Sequence, residues 1–349
     1  ANYIYDNLDR RIGAQYFDTK WKYGYDQFNQ LVSASNSTGE KYGYEYDNIG
    51  NRIKANINGK EQLFKNNSLN QIVSDGYAYD AWGNMVKTPE AEYTYDLKNR
   101  LVEVKKKDGT VISYTYDSLD QRIGMTEKSA KGSESSTKYI MSGMVEYARK
   151  TADKSQFHTL GLDLAGSLDR TGAVGAVLAS SNTEGKDASF YLYDGNGNVI
   201  ATYDSTGKIN SKLAYEPFGR QTAGNKDLPF TFSTKSVDQS DMSYYGFRFY
   251  NPMLAKWEKR DPILEKGGVN MSLFVFSNPI SNYDIKGQCA LVLVIPFILT
   301  VEAAEIILIG VTAGVATYLI VDQGIETYQK YKTQCNKCVK DGEPYTVPV

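Results

Sequence analysis

Histidine is almost missing from this chain: His158 stands alone in 349 residues. A single imidazole excludes a multi-histidine metal centre and argues against a Ser/His or Cys/His hydrolase. Set among Phe157, Thr159 and Leu160, it is expected to be a hydrogen-bonded structural residue. Cysteine is confined to Cys289, Cys335 and Cys338, so the first four fifths of the chain are not a disulfide scaffold. Cys335 and Cys338 supply half of a four-ligand zinc site, and a thiol pair, a disulfide and a truncated metal motif all stay open. No cofactor is called for. Proline is scarce at 9 against 30 glycines, which suits strands and tight turns rather than disorder or collagen. The net charge of −2 gives no general electrostatic case for nucleic acid. The cluster Lys105-Lys106-Lys107 precedes Asp108-Gly109 and reads as a solvated hairpin tip. No leader is visible before the first repeat, so the chain reads as the C-terminal part of something longer, with its targeting signal elsewhere.

Tyrosine is plentiful instead, at 28 residues. The dipeptide Tyr-Asp recurs at Tyr5-Asp6, Tyr25-Asp26, Tyr46-Asp47, Tyr79-Asp80, Tyr95-Asp96, Tyr116-Asp117, Tyr193-Asp194 and Tyr203-Asp204. Several copies lie about 20 residues apart, the mark of a repeat architecture. Most copies carry a second tyrosine two positions earlier, as at Tyr44 and Tyr114, which puts both rings on one strand face. The Asp should stop the strand by accepting hydrogen bonds from backbone N–H groups just ahead. Gly, Asn and Asp then supply the turn, and Arg52-Ile53, Arg100-Leu101 or Arg122-Ile123 opens the return strand. The apolar residue two after the Asp (Leu8, Phe28, Ile49, Trp82, Leu119) is expected to pack under the turn. One hairpin cannot bury its aromatic stripe alone, but stacked neighbours can. The fold class is therefore mainly β, a long, curling antiparallel sheet.

The array occupies residues 1–243, with a small, polar stretch at 128–137 read as an exposed loop and a less regular, glycine-containing stretch at 161–175. Residues 244–288 have a different texture, with Phe247-Arg248-Phe249-Tyr250-Asn251-Pro252, Arg260-Asp261-Pro262, Gly267-Gly268-Val269-Asn270, Ser277-Asn278-Pro279 and Asp284-Ile285-Lys286-Gly287-Gln288 in that order. Residues 289–325 form a hydrophobic segment, helical in flavour, and 326–349 a polar tail holding the Cys335/Cys338 pair. Residues 306–321 carry no charge but are short for a membrane span, and extension toward the N-terminus brings in Glu305 and Glu302. Membrane contact through 290–321, enclosure by the rest of the protein and an ordinary buried helix all remain open.

These motifs resemble the Rhs or YD-repeat family, and residues 244–288 are similar to its repeat-associated core. The resemblance implies a hollow β-shell whose strands spiral around a variable, toxin-like C-terminal segment, with the core as a plug. It implies a secreted or cell-surface bacterial protein whose partners are its own cargo, other shell components and a delivery apparatus. Carried over residue by residue, it also implies an intramolecular aspartyl autoprotease. Asp261 and Asp284 would be its catalytic carboxyls, Arg260 would orient them, and the bond between Gln288 and Cys289 would be cut. Two carboxyls divide such labour when one is ionised and activates water while the other is protonated and polarises the carbonyl. The chain departs from the family pattern at Gln288, where leucine is usual, and at Ile285, where proline is. The competing reading makes Asp261 part of an ion-paired turn and Asp284 a strand cap. Two other functions compete with the shell: a non-enzymatic surface protein for adhesion or carbohydrate, which needs exposed tyrosine rows, and a degenerate orphan end.

Overall fold

The computed structural model describes residues 1–143, 145–167, 172–182 and 187–288, and the backbone of 290–292. Cys289, the remainder of the hydrophobic segment and the Cys335/Cys338 tail lie outside the described residues. Residues Ala1–Leu293 form one compact unit. Its described part is built of antiparallel strands, with 3-10 turns at Phe232–Thr234, Leu264–Gly267 and Val275–Ser277.

The Tyr-Asp unit explains the hairpins. At Asp47 one carboxylate oxygen accepts the N–H of Ile49 at 3.1 Å and of Asn51 at 2.8 Å. At Asp117 the same oxygen accepts from Leu119 and Gln121, both at 2.9 Å. The residue three after the Asp takes a left-handed backbone, with φ 57° at Asn99 and 83° at Gly83, which is why that position holds Gly, Asn or Asp. A bulge falls at the tyrosine itself, as between Glu45 and Tyr46. The tyrosine hydroxyl then reaches back to the preceding repeat: Tyr46 donates to Leu31 O at 2.7 Å and Tyr193 to Val177 O at 2.6 Å. Successive turns are also tied side to side. Asn51 Nδ2 donates to Asn70 Oδ1 at 2.9 Å, and Arg100 Nη1 to Asp120 Oδ1 at 2.7 Å.

The expected single array is two sheets, each a sequential meander. Seven strands run from Asn2–Tyr5 to Lys60–Leu63, and thirteen from Ala78–Tyr79 to Ile209–Lys212. Between them, Phe64 and Ile72 turn into the core and leave only an isolated bridge from Asn66 to Ile72. The stretch 128–137 is largely exposed but is not a loop throughout, because Glu134–Ser142 is a strand paired with Arg122–Lys128. Ser155–Leu160 and Val177–Asn182, on either side of the stretch at 161–175, pair in one sheet.

The residues two after the Asp do not pack under their turns. Leu8, Phe28, Trp82 and Leu119 are all at least 65 % exposed, and Ile49 is 44 % exposed. The Asp carboxylate fills the inside of the turn and holds that residue's N–H, so the side chain projects outward. The tyrosine stripe, by contrast, is packed. Tyr42 and Tyr44 of the first sheet meet Tyr245, Tyr250, Trp257 and Phe274 in one cluster, while Tyr93 and Tyr114 of the second meet Tyr244 and Phe249 in another. Aromatic rings of residues 244–288, the plug segment, thus pack on the buried faces of both sheets.

Candidate active site

The plug is set by contacts to the row of Tyr-Asp turns. Asn278 Nδ2 donates to Asn29 O at 2.9 Å, Asn270 Nδ2 to Ile49 O at 3.2 Å, and Lys259 Nζ to Asn99 O at 2.7 Å. Val275, Phe276 and Ser277 are consecutive left-handed residues, with φ 41°, 54° and 56°. Such a run costs energy for side chains with a Cβ. It is held by Asn282 Nδ2 on Val275 O at 3.1 Å and by Ser277 Oγ on Gly50 O at 3.3 Å.

Within this frame Asp261 and Asp284, 23 residues apart in sequence, meet at one guanidinium. It belongs to Arg248. Its Nη2 lies 2.6 Å from Asp261 Oδ2 and 3.9 Å from Asp284 Oδ2. Its Nη1 donates to Met271 O at 2.9 Å and its Nε to Gly287 O. All three side chains are buried. Arg260, the arginine expected beside the carboxyls, turns the other way and lies with its guanidinium against Gly83. Arg260 follows Trp257 out of the aromatic cluster toward the turn row, whereas Arg248 sits inside the aromatic run 247–250. A charge embedded among rings was the signal available in the sequence.

The chain leading to the predicted cut is wrapped on Asp284. Its Oδ1 accepts the N–H groups of Lys286 at 3.0 Å, Gly287 at 2.6 Å and Gln288 at 3.3 Å. A side chain begun on Gly267 would start 2.8 Å from Asp261 Oδ2 and 3.0 Å from Gln288 O, so the carboxyl and that carbonyl converge on the same glycine. Lys235 Nζ donates to Ile285 O at 2.9 Å and to Gly172 O at 3.1 Å, fixing the strand end from the other side.

Burial raises Asp261 to about 6, opposed by Arg248. Burial also raises Asp284, opposed by Arg248 and by its backbone donors. Lys235 is pushed down to about 8 by burial, with Asp284 pulling it back up. A third carboxyl, Glu258, is missing from the sequence reading. Its Oε1 accepts Phe249 N at 2.8 Å, its Oε2 has no partner, and burial raises it to about 7. Burial thus lifts the proton affinity of all three carboxyls above the ordinary carboxylate range, and Arg248 opposes it.

The other expected residues fall elsewhere. His158 is buried, with Nδ1 2.8 Å from Ser180 Oγ and Nε2 3.2 Å from Glu146 Oε1, the structural role expected of it. Among the described residues no group of three or more His, Cys, Asp or Glu is placed to hold a metal ion, and no helix is long and apolar enough to cross a membrane.

The Teneurin YD-shell profile matches residues 4–267. Curated relatives include the tRNA3(Ser)-specific nuclease WapA of Bacillus spizizenii, 26 % identical over 285 residues that cover 76 % of this chain and 12 % of that protein. Toxin subunit YenC1 of Yersinia entomophaga is 24 % identical over 329 residues, 82 % of this chain and 33 % of that one. Double-stranded DNA deaminase toxin A of Burkholderia cenocepacia is 23 % identical over 294 residues, 76 % and 20 %. The chain thus spans only 12 % of the length of the WapA relative. Among solved structures, the crystal structure of TcdB2-TccC3-TEV aligns with 82 % of this chain and 19 % of its own, at 16 % identity and a TM-score of 0.47. The profile match across both sheets and into the plug makes this chain a member of the Teneurin YD-shell family.

Proposed function

We propose that this chain is a shell end that presents or encloses its own C-terminal segment, residues 289–349, and releases it by hydrolysing the bond after Gln288. The shell role rests on the family. The release step rests on one observation: Asp261 and Asp284 share Arg248, and the backbone from Lys286 to Gln288 hangs on Asp284. In this reading the protonated carboxyl polarises Gln288 O and the ionised one takes a proton from the attacking water. Arg248 holds the carboxyl pair and, through Gly287 O, the chain that is cut. Relatives that are named as a nuclease and a deaminase toxin each match 76 % of this chain but only 12 % and 20 % of their own length, which supports a common shell with a variable activity beyond it. An extracellular or secreted setting, with a delivery apparatus and further shell segments as partners, follows from the same relationship. The adhesion reading loses its main support, because the tyrosine rows it needs are packed against the plug.

The test is a denaturing gel with mass analysis of the wild type beside Asp261→Asn and Asp284→Asn. Fragments parted after Gln288 in the wild type and absent from both variants support the reading. An intact chain in all three removes the protease and leaves the shell.

A further inference from the structure

Lys256 is a buried amine without a carboxylate partner. Its Nζ donates to Asn51 Oδ1 at 3.0 Å and to Asn70 O at 2.8 Å, and among the described residues no acidic oxygen lies at ion-pair distance from it. An ammonium buried among neutral acceptors is poorly stabilised, so the neutral, nucleophilic form is more accessible than in an exposed lysine. Burial accordingly pushes Lys256 down to about 8, with Asp47 pulling it back up.

The amide it touches is unusually well furnished. Asn51 is 1 % exposed. Its Oδ1 also receives Asn270 Nδ2–H at 2.9 Å. Its Nδ2 donates to Asp47 Oδ2 at 2.9 Å and to Asn70 Oδ1 at 2.9 Å. Nucleophile, amide carbonyl, a donor on the carbonyl oxygen and a carboxylate on the amide nitrogen therefore meet in one buried cluster. Asn84 and Asn198 bond to their own turn aspartates in the same way, at 2.8 Å each, but among the described residues neither has a lysine on its oxygen.

We propose that Lys256 and Asn51 form an intramolecular isopeptide bond that pins the plug to the first sheet. The Lys256 amine adds to Asn51 Cγ, and the developing charge on Oδ1 is met by Asn270 Nδ2–H. Once Nζ is bonded to Cγ it lies beside Nδ2, and its proton passes to Nδ2 by way of the Asp47 carboxylate that already holds Nδ2–H. The Cγ–Nδ2 bond breaks and ammonia leaves. One C–N bond forms, one breaks, and no oxidant is needed. The link joins positions 205 residues apart, from the turn at Asp47 to the plug strand Lys256–Trp257. It stands independently of any cut after Gln288, since both residues precede that bond.

The measurement is the mass of the denatured wild-type chain (or of the part ending at Gln288), followed by a tryptic digest. The expected result is a mass one ammonia below that of the sequence and a branched peptide joining Asn51 to Lys256. Lys256→Arg should restore the full sequence mass. A wild type at the full mass, or one lacking ammonia without the branched peptide, as a succinimide would give, overturns the proposal.

Discussion

The phenol of Tyr116 donates to the carbonyl oxygen of Leu101 at 2.6 Å, across a repeat boundary. Leu101 opens the return strand of one Tyr-Asp hairpin, and Tyr116 closes the outgoing strand of the next. The same bond recurs from Tyr25 to Arg11, Tyr46 to Leu31 and Tyr193 to Val177. The tyrosine of the dipeptide is thus the cross-tie between repeats, and its aspartate is the turn.

Tyr116→Phe keeps the ring and removes the tie. Leu101 O loses a partner, and the expected cost is about 1–2 kcal/mol. Urea unfolding should show a lower midpoint with an unchanged slope.

Arg122 and Asp238 form a buried pair at 3.0 Å, and the guanidinium lies over the rings of Tyr139 and Tyr244. Arg122→Met leaves Asp238 without this partner in a buried site, and a loss of roughly 3–5 kcal/mol is expected. Arg122→Lys should recover only part of it, since a lysine neither forks nor stacks in the same way. The check is the same denaturant titration.

Glu258 gives a pH signature. Burial raises its folded pKa to about 7, above the usual carboxylate value, so the folded state binds its proton more tightly than the unfolded chain does. No penalty applies below the unfolded pKa. It grows as pH rises toward 7 and is constant above that, reaching roughly 3 kcal/mol. Glu258→Gln should therefore be more stable than wild type at pH 8 and close to it at pH 4, as read by unfolding at the two pH values.

Arg248 should matter more to self-cleavage than Arg260. Arg248→Lys keeps a charge but loses the fork that spans Asp261, Met271 O and Gly287 O, and cleavage should slow roughly a hundredfold. Arg260→Lys should cleave at close to the wild-type rate. Cleavage should also fall as pH rises through about 6, where Asp261 loses its proton. Time courses on denaturing gels measure both effects.

Much of the fold was legible in residue spacing. Tyr, Asp and the Gly or Asn three later specify a strand, a stop and a left-handed turn using local hydrogen bonds alone. What spacing could not carry was direction. Leu8 and Trp82 look like turn-packing residues until the Asp carboxylate is seen to fill that space. The break between the two sheets was hidden because Phe64 and Ile72 satisfy a strand pattern while serving the core. At the site, Asp261 and Asp284 were legible from motif order. Arg260 is adjacent to Asp261 in sequence, whereas Arg248 is adjacent to it in space. The left-handed run at Val275, Phe276 and Ser277 was beyond sequence reasoning, since none of these residues favours that conformation.

The carboxyl pair on Arg248 is proposed to open the chain after Gln288. N-terminal sequencing of the purified, denatured wild-type protein tests it most directly. The account predicts two N-termini, Ala1 and Cys289. A single N-terminus at Ala1, from protein held for days near pH 6, would contradict it.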